Sequence, residues 1–249
     1  MIDILRDNWH LLLLGQYPNG PLGGLALTLL LSVLGLVLSF PISILLAVAR
    51  VSPWKVFRVP ATVIVYIVRG VPLVMLIFWS YFLVPLLLGH SVTGFTTLLC
   101  TLVIYEAAYI SEVIRAGIEA LPRGQTEAAR ALGLSHAQTM TKVILPQALY
   151  NMIPSIVSQF VSTIKETSLG YVISVQELTF SANQVNTNLL TRPFEVFLIL
   201  ALTYFAVCFC LTQLAHALER RVTRRRSGKT SGKTAPARSI QNDSVLQSQ

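Results

Sequence analysis

The chain has 249 residues, of which 53% are hydrophobic and 12% charged, with a formal net charge of +8. A mean hydropathy of +0.64 excludes a water-soluble domain with a solvated surface. The positive excess does not point to nucleic acid, because the cations gather beside apolar segments and in the C-terminal tail, a layout that orients a membrane protein.

Residues 1–24 contain WHLLLLG, too short to cross a bilayer, and are placed at the extracytoplasmic interface. Residues 25–49 form the first crossing, since about 20 uncharged residues span the ~30 Å hydrocarbon layer as a helix. The Ala-x-Ala pattern at 47–49 does not mark a secretory signal. Its cations follow the apolar run, and that run of about 25 residues exceeds the ~7–15 of a signal core, so the segment is expected to stay attached. Residues 54–69 predict a helix along the cytoplasmic surface with Arg69 at the interface. Arg-Gly-Val-Pro then breaks it, because Gly70 tolerates unusual backbone angles and Pro72 lacks an N–H. A second crossing starts near Val71, and LLLGHSVTGF at 86–95 separates it from a third.

Residues 143–164, interrupted by Pro146 and Pro154, give a fourth crossing and residues 196–218 a fifth. Arg50, Lys55, Arg58 and Arg69 follow the first crossing, Arg115, Arg123, Arg130 and Lys142 the third, and Arg220 onward the fifth. Five crossings with the N-terminus outside and the C-terminus inside put each cationic cluster in the cytoplasm. Cys100, Cys208 and Cys210 lie in apolar runs without metal-ligand spacing to the histidines and are expected to be buried thiols.

Between the third and fourth crossings, 115–146 reads RAGIEALPRGQTEAARALGLSHAQTMTKVILP. Gly124 precedes a short helix over 127–132, Gly133 is placed to end it in a left-handed cap, and Ser135 with Gln138 forms a capping box for a second helix. A helix of under two turns is unstable alone in water and needs a surface to rest on. Ala128, Ala129 and Ala131 permit close backbone approach, and Glu127 in its first turn suits a helix N-terminus or a partner's cation. Residue properties leave two surfaces open, the chain's own bundle or another protein. The tail from 221 to 249 repeats Gly-Lys-Thr at 228–230 and 232–234. A phosphate-binding loop needs a glycine where Thr223 and Ser227 stand, and an apolar strand before it, so the tail is expected to be a disordered basic cytoplasmic extension.

The stretch EAARALGLSHAQTMTKVILP resembles the EAA loop of ABC importer permeases. It matches at Glu127, Ala128, Ala129, Gly133, Leu145 and Pro146, with Val143 in place of isoleucine. The resemblance covers most of residues 20–220, and RGVPLVML and KETSLGYVISVQEL are similar to blocks of the polar amino acid permeases. YEAAYISEVIRAGI with FWSYFLVP looks most like the glutamate/aspartate group. It implies an all-α membrane protein with the type I ABC importer permease fold, about five transmembrane helices over 25–220 and a cytoplasmic coupling helix. It also implies a bacterial inner-membrane location and several partners: ATPase subunits that carry ATP and Mg, a second permease of the same or related sequence, and an extracytoplasmic solute-binding protein. Membrane lipids surround such a chain, which takes no nucleic acid and binds no cofactor itself. The six matched residues would dock the ATPase.

No Ser/His/Asp set, HExxH or paired-cysteine motif offers bond chemistry. Candidates for the substrate pathway are Glu106 midway along the third crossing and Lys165, Glu166, Thr167 and Ser168 at the end of the fourth. A zwitterion needs a cation and an anion, which Lys165 with Glu106 or Glu166 would supply; internal pairing between helices is the other reading. Glu112 and Arg115 read as a plain i,i+3 pair. Tyr105 and Tyr109 either line a cavity or pack at an interface. A self-sufficient channel or secondary transporter would commonly show repeats and more helices, and a membrane scaffold would not need ionisable groups at membrane depth.

Overall fold

The computed structural model of the chain describes residues 1–230, with the side chains of 1–217 and 220. The tail expected beyond residue 230 lies outside them. The described residues form α1 (Ile2–Leu14), α2 (Gly24–Val51), α3 (Lys55–Gly70), α4 (Leu73–Leu88), α5 (Gly94–Glu119), α6 (Arg123–Ala131), α7 (His136–Thr139), α8 (Leu145–Glu166), α9 (Leu178–Leu189) and α10 (Pro193–Thr230). A π-helical turn, Met140–Ile144, joins α7 to α8, and a 3₁₀ stretch, Thr167–Ile173, follows α8. α10 runs ten residues past the boundary at 220 set for the tail.

α2, α5 and the Pro193–Ala217 part of α10 are long and apolar enough to cross a membrane. α3 and α4 together make a fourth such unit bent by 101° at the Gly70–Pro72 break, where Val71 and Pro72 are extended as a residue before proline and a ring-locked proline require. α8 has 22 residues, about 33 Å at 1.5 Å each, but is more polar because Gln147, Asn151, Ser155, Ser158, Gln159, Ser162 and Thr163 interrupt it. Of the five expected crossings, the first, third and fifth fall on α2, α5 and α10; the second falls on α4, which meets the length of a span only together with α3, and the fourth on the more polar α8.

α2 and α5 form the centre of the bundle. The buried face of α2 reads Thr28, Ser32, Gly35, Ser39, Ser43 and Ala47, a three- and four-residue spacing of small side chains that lets helices approach closely without a hydrophobic driving force. Each hydroxyl is satisfied within the helix, as Ser32 Oγ donating to Thr28 O at 2.7 Å shows. Gly117 of α5 serves the same purpose, since a Cβ there would lie 2.5 Å from Met152 Cγ of α8.

One apolar cluster joins α2, α4, α5 and the 3₁₀ stretch around Leu31, Ile77, Leu98 and Ile173. A second, around Ala47, Ile110, Ile114, Ile144 and Ala148, holds the other end together. α1 and α9 pack on the start of α10 through Ile4, Leu12, Leu178, Val185 and Val196. Cys100 and Cys210 are exposed and Cys208 half-buried, contrary to expectation. Cys100 and Cys210 sit on outward faces of α5 and α10, while Cys208 packs against Val161 of α8, its thiol 4.0 Å from the Val161 carbonyl.

Candidate functional site

α6 begins four residues before the expected start, with Pro122 at its N-cap. Proline suits this place because its fixed φ and missing N–H cost nothing where the first N–H groups are unsatisfied anyway. Glu127 is therefore the fifth residue of the helix and not in its first turn, so it makes no N-terminal charge contact. The other end forms as the glycine predicts. Gly133 has φ +83. Its N–H donates to Arg130 O at 3.0 Å, and the Leu134 N–H donates to Ala129 O at 3.2 Å, the paired bonds of a Schellman cap. The capping box also forms, with Gln138 N–H donating to Ser135 Oγ at 3.2 Å and Ser135 N–H to Gln138 Oε1 at 2.9 Å.

The faces of α6 divide the expected docking set. Ala129 is 4% exposed and turns inward, on the side where α6 packs against α7 and the π turn. Glu127, Ala128, Ala131 and Gly133 face outward with Leu132, whose apolar side chain is 84% exposed. Sequence reasoning passed over Leu132, although a leucine before a cap glycine on a polar helix signals an apolar knob. Leu145 and Pro146 are in the first turn of α8, away from this face. The π turn precedes them, its Met140 O accepting from the Leu145 N–H five residues on. This longer ring accommodates the N–H that Pro146 lacks, so residues 136 to 166 form one helical run.

Of the pathway candidates, Glu106 is fully buried at the middle of α5 and accepts from Thr163 Oγ1 of α8 at 2.8 Å. The Glu166 carboxyl faces it, and Oε2 of each is buried without a hydrogen-bond partner. The two carboxyls are thus brought together, while Lys165 is not: it is exposed and enters no ion pair among the described residues. Thr167 and Ser168 turn their hydroxyls back to Ile164 O and Lys165 O, at 2.7 and 2.6 Å, and end the helix instead of opening a polar surface. The internal partner of Glu106 is a hydroxyl of the neighbouring helix, a pairing between helices of the kind that was the other reading of this residue.

Tyr105 and Tyr109 pack against each other with centroids 4.5 Å apart. Arg69 lies over the Tyr109 ring at 5.1 Å, and Glu112 follows on the same face of α5. Glu112 is more than an i,i+3 partner. It accepts from Arg115, from Arg50 at 2.6 Å, and stands 3.5 Å from Arg69. The ends of α2, α3 and α5 are clamped to one carboxylate, an arrangement whose partners are too far apart in sequence to be read from spacing. Glu177 was also not anticipated: fully buried, it caps α9 by accepting from Thr179 N and Phe180 N at 2.8 and 2.9 Å and from the Tyr204 hydroxyl at 3.0 Å.

Residues 39–224 match the family model described as "Binding-protein-dependent transport system inner membrane component". The chain is 37% identical over 202 residues to the probable glutamine ABC transporter permease protein GlnP of Bacillus subtilis, covering 80% of this chain and 92% of that protein. It is 36% identical over 207 residues to the glutamate/aspartate import permease protein GltK of Escherichia coli O6:H1, with the same two coverages. A crystal structure of an amino acid ABC transporter with histidines matches with a TM-score of 0.73 and 33% identity, over 80% of this chain and 92% of that one.

Proposed function

The chain belongs to the family of binding-protein-dependent transport system inner membrane components, and from that premise we propose that it forms the translocation pathway for polar amino acids, glutamate and aspartate foremost. It is an ABC importer permease for amino acids with the type I fold, and it is not itself an enzyme: ATP is hydrolysed on a separate chain. In the proposed assembly a second permease, two ATPase subunits holding ATP and Mg, and an extracytoplasmic solute-binding protein complete the transporter.

The observation that carries this reading is the continuity between two features. The exposed face of α6, with Glu127, Ala128 and Leu132, offers an ATPase groove a small apolar knob. α6 leads through the capping box into the helical run from 136 to 166, which ends beside Glu106 and Glu166. ATP-driven closure of the ATPase pair then moves α6, and the polar face of α8 switches between outward- and inward-open states. In the pathway, the carboxyl pair receives the substrate ammonium and the unpaired Lys165 a substrate carboxylate. An acidic amino acid presents a second carboxylate to such a cation. The relatives do not choose between substrates, since the glutamine and glutamate/aspartate permeases are nearly equally similar.

ATP hydrolysis by the assembled transporter in lipid vesicles, with the binding protein loaded by one amino acid at a time, tests this. Glutamate and aspartate are expected to raise turnover at least several-fold, glutamine and arginine less. Stimulation by glutamine alone would overturn the acidic assignment, and no stimulation by any amino acid would overturn the pathway.

A further inference from the structure

The ends of α2, α3 and α5 form an open cavity of about 500 Å³ that the transport pathway does not use. Arg50, Arg58 and Arg115 line it, together with Thr62, Tyr66 and the apolar pair Val59 and Val63. We propose that this cavity binds the phosphate of an anionic phospholipid, with the acyl chains lying along α3. Its only acidic wall residue, Glu119, is held by Arg115 at 2.6 Å. Glu112, the other carboxylate nearby, is surrounded by Arg50, Arg69 and Arg115. Arg58 has no ion pair among the described residues, so the guanidiniums outnumber the carboxylates.

Behind the cavity wall two donors are unpartnered. The Nε of Arg50 and the Nε of Arg115 are buried without a hydrogen-bond partner, and the Arg50 side chain is only 3% exposed. These Nε atoms lie behind the cavity wall and mark a desolvated cationic cluster; a phosphate in the cavity would meet the exposed ends of the guanidiniums, whose geometry its oxygens match.

The chemistry alone admits a free phosphate. The position favours a lipid. α2 stops at Val51 and α5 at Glu119, so the cavity lies where two spanning helices leave the hydrocarbon, at headgroup depth. Trp54 and Phe57, 63% and 56% exposed at the start of α3, are of the type that settles at that depth. Val59, Val63 and Ile67 then continue an exposed apolar flank for acyl chains.

Native mass spectrometry of the purified full chain after stepwise delipidation tests the site, with phosphatidylglycerol and phosphatidylcholine offered in parallel. Wild type is expected to retain one phosphatidylglycerol preferentially. Arg58→Gln, which breaks no internal ion pair, is expected to reduce that occupancy about five-fold, the weight of one cation at an anionic headgroup. Arg6→Gln on α1 serves as the control and leaves occupancy unchanged. Equal retention in wild type and Arg58→Gln, or equal loss in both variants, overturns the site. Displacement by millimolar inorganic phosphate, with both lipids held equally, overturns the lipid assignment in favour of a soluble phosphate.

Discussion

Glu112 meets three guanidiniums, and one of them, Arg50, is almost wholly withdrawn from solvent. Removing one partner of a buried ion pair costs more than the pair contributes, because the remaining charge stays desolvated. Glu112→Gln is therefore expected to destabilise the purified chain by about 3 kcal/mol, measured by unfolding in detergent. Arg115→Gln, which leaves the Arg50 contact in place, should cost under about 1 kcal/mol. Equal losses would mean that Arg50 is compensated by something else, the Tyr66 ring at 5.7 Å being the nearest candidate. Glu177 responds to pH. It lies between α8 and α10, outside the spans, and burial pushes its carboxyl from the ordinary 4.5 up to about 7 despite two backbone donors and a tyrosine hydroxyl. The folded chain then holds this proton more tightly than the unfolded chain. The resulting stabilisation is fully present below about 4.5 and is lost as pH rises through about 7. The melting temperature should fall between pH 5.5 and 8.5, and Glu177→Gln should flatten that fall. Parallel curves for the two proteins would count against it.

Among the elements, α6 separates a docking role from a packing role by its two faces. Leu132→Asp alters only the outward knob, so it should cut substrate-stimulated ATP hydrolysis about tenfold, as loss of an interface anchor does, with unchanged chain stability. Ala129→Trp forces bulk into the buried side of α6, against α7 and the π turn, and should lower the stability of the chain alone. If Leu132→Asp leaves coupling intact, the exposed face of α6 is not where the ATPase sits. The end of α6 was legible from Gly133, and the start of α7 from Ser135 and Gln138, because caps are local chemistry; the start of α6 was not, because Pro122 reads as a breaker and acts as an N-cap. The α3–α4 bend was legible for the same local reason, from Gly70 and Pro72. α9 was missed because LTFSANQVNTNL sets only two leucines, one alanine and one glutamine as good helix formers against three asparagines, two threonines, a serine and a valine. It forms because Glu177 caps it and Leu178, Ala182 and Val185 pack on α1 and α10. The Arg50, Arg69 and Glu112 cluster was illegible because folding, not spacing, joins residues from three helices. Likewise the partner of Glu106 is Thr163, 57 residues away.

At the scale of the whole molecule, α6 and the buried carboxyls stand at opposite ends of one helical run, and its one departure from α-helical geometry is the π turn before Pro146, since Pro154 stays within regular α-helix. A π turn inserts one residue into the helical repeat, which rotates everything before it by about 100° relative to a continuous α-helix. The orientation of α7, and of α6 through the Schellman cap, is thus set by a missing N–H at residue 146. Pro146→Ala restores that N–H and improves the local helix propensity, so the chain should be at least as stable as before. It should also let the run relax to regular α-helix and turn α6 away from its present face. The expected result is a transporter with unchanged or raised melting temperature that imports at least several-fold less amino acid per ATP hydrolysed, measured in vesicles with the ATPase and binding protein present. Full coupling in a stable Pro146→Ala protein would show that the π turn does not set the register between α6 and the pathway, and that the two communicate by another route, through the α2 and α5 ends clamped at Glu112.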